Sequence, residues 1–334
     1  MLTLVITVIV VALIFDFING FHDTANAIAT VVSTGVLPLK TAIFLAAVLN
    51  FVGAFTGTAV ASTIGKGIIT PSTTTLVVVL AALVGAIFWN LFTWYYGIPS
   101  SSSHAMVGGL VGAGLARGGV ESIQAAGMIK ICSSLVISPI LGMLVAFIFM
   151  LIVFWVFRRA APIGVSGLFR RLQMLSAGFM ALSHGSNDAQ KTMGVITMAL
   201  VAYGAIEMTG PKLEVPTAVV FASAAAMGLG TAAGGIRIIK TLGTKIIDLK
   251  PVHGFAAETA AAAVIMTASH YGLPVSTTHC ISGSILGVGA SQSVSAVRWG
   301  ITVRILYAWV LTIPISAACA YMVYLLASWL TGIA

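Results

Sequence analysis

Gly20-Phe21-His22-Asp23-Thr24-Ala25-Asn26 returns 165 residues later as Gly185-Ser186-Asn187-Asp188-Ala189-Gln190-Lys191. Gly97-Ile98-Pro99-Ser100-Ser101-Ser102-Ser103-His104 returns 175 residues later as Gly272-Leu273-Pro274-Val275-Ser276-Thr277-Thr278-His279. The chain is therefore a duplication, and each copy sets an aspartate and a Ser/Thr-His cluster inside apolar sequence. Ionisable groups in hydrocarbon are costly, so their default reading is a pathway or a binding site.

The apolar setting follows from composition. Of 334 residues, 59% are hydrophobic and 7% charged, where a soluble domain carries about 25% charged residues. The apolar runs are long and continuous, which predicts an all-α integral membrane protein rather than a barrel of short alternating strands. The first run, 2–18, has no basic stretch before it and no small-residue cleavage site after it, so it reads as a membrane helix rather than a signal peptide. Cys132, Cys280 and Cys319 are scattered, without metal-ligand spacing, and read as packed small residues. The net charge of +8 lies in loops beside apolar runs. That is the pattern of membrane orientation, which explains the charge better than a nucleic-acid partner does.

Twelve apolar segments can be marked, near 2–18, 22–35, 39–60, 75–96, 102–116 and 122–157, then 172–183, 188–203, 216–235, 252–270, 278–291 and 296–333. Repeat 1 spans 1–157, a short basic link 158–172, and repeat 2 spans 173–334. A membrane span takes about 20 residues. The segments 22–35, 102–116, 188–203 and 278–291 are shorter, which predicts re-entrant arms or half-helices meeting near mid-membrane. Pro139 and Pro314 sit inside the last segment of each half and mark either a hairpin turn or a kink. Arg158, Arg159, Arg170 and Arg171 place the link on the cytoplasmic side. Arg237, Lys240, Lys245 and Lys250 do the same for one loop of the second half, whereas its counterpart near 61–74 has only Lys66. Equivalent loops on opposite sides predict two inverted-topology repeats. With hairpins at the prolines, each half crosses five times and both termini are extracytoplasmic; with kinks, that parity argument fails.

The serine-rich motif has the form of a helix start. Gly-x-Pro stops one helix, and Ser/Thr residues cap the next. First-turn N–H groups and the helix dipole then favour an anion. Two inverted starts facing each other would surround a small tetrahedral oxyanion with donors from Ser101, Ser102, Ser103, His104, Ser276, Thr277, Thr278 and His279. The plainer reading is that these hydroxyls only cap or join helices; duplication favours the anion site. In the aspartate motif, Asp23 and Asn26 share a helix face and offer oxygens of the kind a hard cation takes. Asn187 and Asp188 repeat the motif, and Glu258 is a further buried acid suited to a cation or proton. Asp16 is another, without a repeat partner, since Ala181 stands at its equivalent. Lys191 replaces Asn26 in the second copy. It can pair with Asp188, or its stem can carry the charge to the cytoplasmic surface; the second reading is slightly preferred. His22, His184, His253 and His270 read as packing histidines, and no His/Cys cluster has zinc spacing.

These motifs resemble the Pit-type inorganic phosphate transporter family. Residues 20–27 match its G-x-[NH]-D-x-x-N-A signature, residues 185–191 its second signature, and 97–104 and 272–279 its serine-rich and S-T-T-H motifs. The resemblance runs end to end. The large hydrophilic loop of several members is reduced here to the short link. The resemblance implies a secondary active symporter for inorganic phosphate in the cell (inner) membrane, driven by sodium or protons. Such a symporter is expected to carry no bound cofactor, and the resemblance implies a fold that is often homodimeric. Phosphate would lie between the Ser/Thr arms, with the coupling cation, sodium if that is the ion, at Asp23, Asn26 and Asp188. Alternatives are a sulfate or other oxyanion symporter on the same scaffold, an intramembrane Ser/His/Asp hydrolase, and a channel. The hydrolase is disfavoured because a catalytic triad is one asymmetric constellation, whereas this polar set is duplicated.

Overall fold

The structure, a computed structural model, describes residues 1–207 and 213–331. These residues form α1 (Leu2–Ser33), α2 (Leu39–Gly53), α3 (Ala59–Gly67), α4 (Leu76–Tyr95), α5 (Ser102–Gly118), α6 (Ala125–Phe157), α7 (Pro162–Tyr203), α8 (Thr217–Ala233), α9 (Ile236–Thr244), α10 (Pro251–His270), α11 (Thr277–Gln292) and α12 (Trp299–Thr331). The second six repeat the first six in order and approximate length. Residues 332 and 333 of the last expected segment lie outside the described residues.

The Gly-x-Pro stretches behave as expected. Gly97 and Gly272 take φ of 64° and 65°, a left-handed conformation that costs glycine nothing, and each lies just past the end of a helix. Ser101 and Ser276 then cap α5 and α11, their side chains accepting from the backbone N–H of His104 and His279 at 3.2 Å each.

Two expectations fail. Segments 2–18 and 22–35 are one helix, α1, and 172–183 and 188–203 are one helix, α7, which also takes in most of the basic link. The aspartate motif therefore lies in unbroken helix. Gly20 and Gly185 do not interrupt these helices; they let other backbones come close. A Cβ at Gly20 would stand 2.5 Å from the Met227 carbonyl of α8, and one at Gly185 2.1 Å from the Asn50 carbonyl of α2. Pro139 and Pro314 likewise lie within single continuous helices, α6 and α12, so the hairpin reading and its five crossings per half are wrong. A proline needs only a local bend where the helix is held by neighbours.

The halves are interlocked. α5 packs on α12 and α11 on α6; α1 packs on α8 and α2 on α7. The crossings of α5 and α11 use Gly108 and Gly112 in one half and Gly283 and Gly287 in the other, a small-xxx-small pattern in both. A Cβ at Gly112 would stand 2.0 Å from the Ala317 carbonyl, and one at Gly287 2.1 Å from that of Met143. Because the obstacle is backbone, Gly112→Ala and Gly287→Ala are each expected to cost about 1–3 kcal/mol of stability. Thermal unfolding of the purified protein in detergent checks this; an unchanged midpoint in both would contradict the packing described.

α1 and α7 run antiparallel. Asp16 faces Thr192, Asp23 meets His184, and Thr34 donates to Gln173 at 2.9 Å, so residue numbers rise in one helix as they fall in the other.

The outer surface is apolar: Val136, Ile148 and Trp155 of α6 and Val310 and Met322 of α12 are exposed. The polar side chains Asp16, Asp23, Asn26, Asp188, Lys191 and Glu258 are buried. α1, α4, α6 and α12 are each long and apolar enough to cross a membrane, and α8 with α9 forms a further pair bent by 72°. An apolar outside around a polar inside is the arrangement of a multi-pass membrane protein.

Candidate functional site

The two Ser/Thr arms meet. Ser103 Oγ donates to the Val275 carbonyl at 3.3 Å, and the His104 and His279 rings lie 4.4 Å apart. The starts of α5 and α11 thus converge on one buried place, each bringing the unpaired first-turn amides and positive dipole end of a helix.

The two aspartates lie at the same place. One ligand atom from each of Asp23, His184 and Asp188 falls within 4.8 Å of the others. Asp23 Oδ1 is 2.6 Å from His22 Nδ1, and its Oδ2 accepts from Ser102 Oγ at 3.4 Å. Asp188 Oδ2 accepts from Thr277 Oγ1 at 2.8 Å and lies 3.0 Å from His184 Nε2. Each aspartate is therefore tied to the arm of its own half.

The residue three positions later reaches the arm of the other half. Asn26 Nδ2 donates to Thr278 Oγ1 at 2.9 Å and Thr277 Oγ1 at 3.3 Å. Lys191 Nζ donates to Ser103 Oγ, to Asp188 Oδ1 and, at 3.0 Å, to the Val275 carbonyl. Ser103 and Thr278 are equivalent under the 175-residue shift, so Asn26 and Lys191 occupy one role with and without charge. The preferred expectation that Lys191 extends to the surface is wrong: its side chain is buried, because it finds a carboxylate, a hydroxyl and a carbonyl within reach of its helix.

The carbonyl oxygens of the Asn26 and Asn187 side chains are buried without a hydrogen-bond donor. Unsatisfied buried acceptors call for a partner, and an amide oxygen is a ligand type that hard cations take. Asn187 itself is held by its amide on Ser269 Oγ at 2.8 Å.

Not every expected residue joins this centre. The His104 and His279 rings pack on each other, and His279 stacks on Trp309 at 3.7 Å. Glu258 of α10 accepts from Thr30 Oγ1 at 2.5 Å, from Gln173 Nε2 at 3.2 Å and from Ser176 Oγ. It joins α1, α7 and α10 about one turn beyond Asn26 along α1. His184 was read as packing, yet it stands against both acids; its spacing of four from Asp188 on a helix was the available signal. Thr93 and Ser100 hold His22 Nε2 at 3.1 and 3.4 Å; Ser100 belongs to the serine-rich motif, whereas Thr93 carries no distinguishing sequence pattern.

A duplicated helical membrane protein with this internal polar centre is a transporter in form rather than an enzyme. Comparison with known proteins agrees. The sequence model of the Phosphate transporter family matches residues 19–166 and 158–320, and the chain belongs to that family. It is 51% identical over 326 residues, 97% of each chain, to a "Probable low-affinity inorganic phosphate transporter" of Bacillus subtilis (strain 168). It is 50% identical over 322 residues, 96% of each chain, to a protein of the same description from Rhizobium meliloti (strain 1021). Among solved structures it resembles one titled "The sodium-dependent phosphate transporter", with a TM-score of 0.88 and 26% identity, covering 98% of this chain and 99% of that one.

Proposed function

We propose that the chain is a secondary active symporter carrying inorganic phosphate with a cation, sodium or proton, through the site where α5 and α11 begin. The observation that carries this reading is the convergence of two capped helix starts on Lys191 and on two aspartates from different halves. Helix starts and an ammonium attract a tetrahedral oxyanion. The surroundings then decide the coupling. Two carboxylates against one ammonium leave a negative balance before phosphate enters, and phosphate adds more. Uncompensated charge in a buried site is costly, so the anion and the cation stabilise each other there. Ser102, Ser103, Thr277 and Thr278 are the proposed phosphate donors, with Ser101 and Ser276 shaping the starts. Asp23, Asn26 and Asp188 would hold sodium where sodium is carried, with Asn187 and Glu258 as further coupling candidates.

The antiparallel course of α1 and α7 supports the inverted repeat independently of crossing counts. Two equivalent spans exchange direction only if the pseudo-two-fold axis lies in the membrane plane. The exposed Arg158, Arg159, Arg170 and Arg171 support a cytoplasmic position for the start of α7 by the positive-inside bias. The end of α1 lies beside it, which supports an extracytoplasmic beginning of α1.

The test is phosphate uptake by proteoliposomes under imposed sodium or proton gradients. Accumulation should follow a cation gradient, and sulfate in excess should not abolish it. Downhill flux indifferent to both gradients would indicate a channel, and competition by sulfate equal to that by phosphate would favour the wider oxyanion carrier. In Asp23→Asn, phosphate affinity and cation affinity should fall together by about 5–150-fold, because coupling between two ligands is reciprocal. Normal cation dependence in that variant would return Asp23 to a structural role.

A further inference from the structure

We propose that Asp16 is a proton-carrying site in the transport cycle, separate from the duplicated aspartates; this rests on the symport reading above. Asp16 is fully buried, and neither carboxylate oxygen makes a hydrogen bond of ordinary geometry, the Thr192 hydroxyl and the Asn19 amide being the donors nearest to it. Asn19 and Thr192 face it, yet Asn19 Oδ1 and Thr192 Oγ1 are also buried without a partner. An ionised carboxylate supplies no donor to the Asn19 amide oxygen, and the Thr192 hydroxyl and Asn19 amide that face it are neutral and leave its buried charge unbalanced. One proton on Asp16 changes both facts. The group becomes neutral, and its O–H can donate to Asn19 Oδ1 or Thr192 Oγ1.

The ionisable groups whose charges bear on Asp16 are Asp188 and Lys191 of α7. Lys191 is already committed to Asp188, Ser103 and Val275. Of the other helices packed on α1, α8 has no ionisable residue and α4 only Tyr95 at its end, while Lys40 of α2 and Arg237 and Lys240 of α9 are exposed. On α10 and α11, Glu258 is held at Thr30, near the other end of α1, His253 and His270 lie at the ends of α10, and His279 packs on His104 and Trp309. Among the described residues, no cation is therefore free to neutralise Asp16.

A sodium ion fits less well. α1 and α7 are continuous through Asp16 and Thr192, so their carbonyls are engaged in helical hydrogen bonds. That leaves two carboxylate oxygens, one amide oxygen and one hydroxyl, below the six or more oxygens that hard cations commonly gather. A proton needs one. Asp16 also lies seven residues before Asp23 on α1, about 10 Å along the helix, between the extracytoplasmic end and the central site. Its equivalent, Ala181, is a buried alanine, so the duplicated architecture does not itself require an acid here. The proton comes from water at that end, binds the carboxylate oxygen on loading, and leaves from the same oxygen when the site opens to the other side.

Asp16→Asn resembles the protonated acid in shape and can donate. In proteoliposomes it should keep phosphate binding and phosphate–phosphate exchange within about twofold of the parent, while uptake driven by an inward proton gradient falls at least about tenfold, the loss of one coupling interaction. Asp16→Glu should restore the response to the proton gradient. The proposal is overturned if Asp16→Asn follows the proton gradient as the parent does. It is equally overturned if only a response to sodium is lost, or if neither variant binds and exchanges phosphate, which would make Asp16 a packing residue. A parent protein that accumulates phosphate with neither gradient overturns the symport reading itself, and the parent measurement shows this before any variant is compared.

Discussion

Lys191→Met is expected to lower the stability of the folded protein by about 3–5 kcal/mol, the usual consequence of removing one partner from a buried ion pair, and to abolish gradient-driven phosphate uptake. Methionine keeps most of the stem but no donor. Asp188 then retains Thr277 Oγ1 and the His184 ring, but no fixed positive charge balances it. Ser103 Oγ and the Val275 carbonyl also lose the ammonium that joins them. The effect on transport follows from charge, because the ammonium at the proposed anion site is gone. Adding Asp188→Asn should recover much of the stability, since the double variant no longer leaves the Asp188 charge without its ammonium, but it should not recover transport. Thermal unfolding of the parent, the two single variants and the double variant measures the coupling. Additive losses would mean that the two groups do not depend on each other.

The second large effect is expected at the arms. Ser102→Ala with Ser103→Ala, and separately Thr277→Ala with Thr278→Ala, should each weaken phosphate binding at least about tenfold, because a hydrogen bond to a charged group contributes roughly 1.5–3 kcal/mol. The helix caps are Ser101 and Ser276 and remain in place, so both double variants should fold. Comparable losses in the two would show that both halves contribute donors. A loss confined to one would reduce the site to a single arm, and parental affinity in both, measured by equilibrium binding of radiolabelled phosphate, would move the anion elsewhere.

The starts of α5 and α11 were legible in the sequence because their signals are local: Gly-x-Pro ends one helix, and a serine caps the next. The aspartates were legible because an acid in apolar sequence is conspicuous and the duplication names its partner. What was misread depends on contacts far apart in the chain. Gly20 and Gly185 look like breaks in a sequence and are close approaches to α8 and α2 in the fold. Pro139 and Pro314 look like turns, but α11 and α5 hold their helices through Gly283 and Gly108, which meet the backbone at Pro139 and Ile313. Those Gly-xxx-Gly pairs stand in the sequence as a pattern, but which backbone each meets depends on the other half. The fate of Lys191 was undecided for the same reason: whether a long stem reaches the surface or stays inside depends on which acceptors the other half brings within range. Asp16 is the reverse case. Its sequence gave only the absence of a repeat partner, and its unpaired oxygens became evident once α7 was placed beside it.

The central claim is that phosphate is held between two equivalent helix starts from opposite halves. A crystal structure with arsenate in place of phosphate tests it most directly, since arsenic can be located by its anomalous scattering and arsenate has the same tetrahedral shape. The account predicts one anomalous peak within hydrogen-bonding reach of the first turns of both α5 and α11, beside Lys191. A peak that touches only one arm, or that lies away from Ser102, Ser103, Thr277 and Thr278, would contradict it.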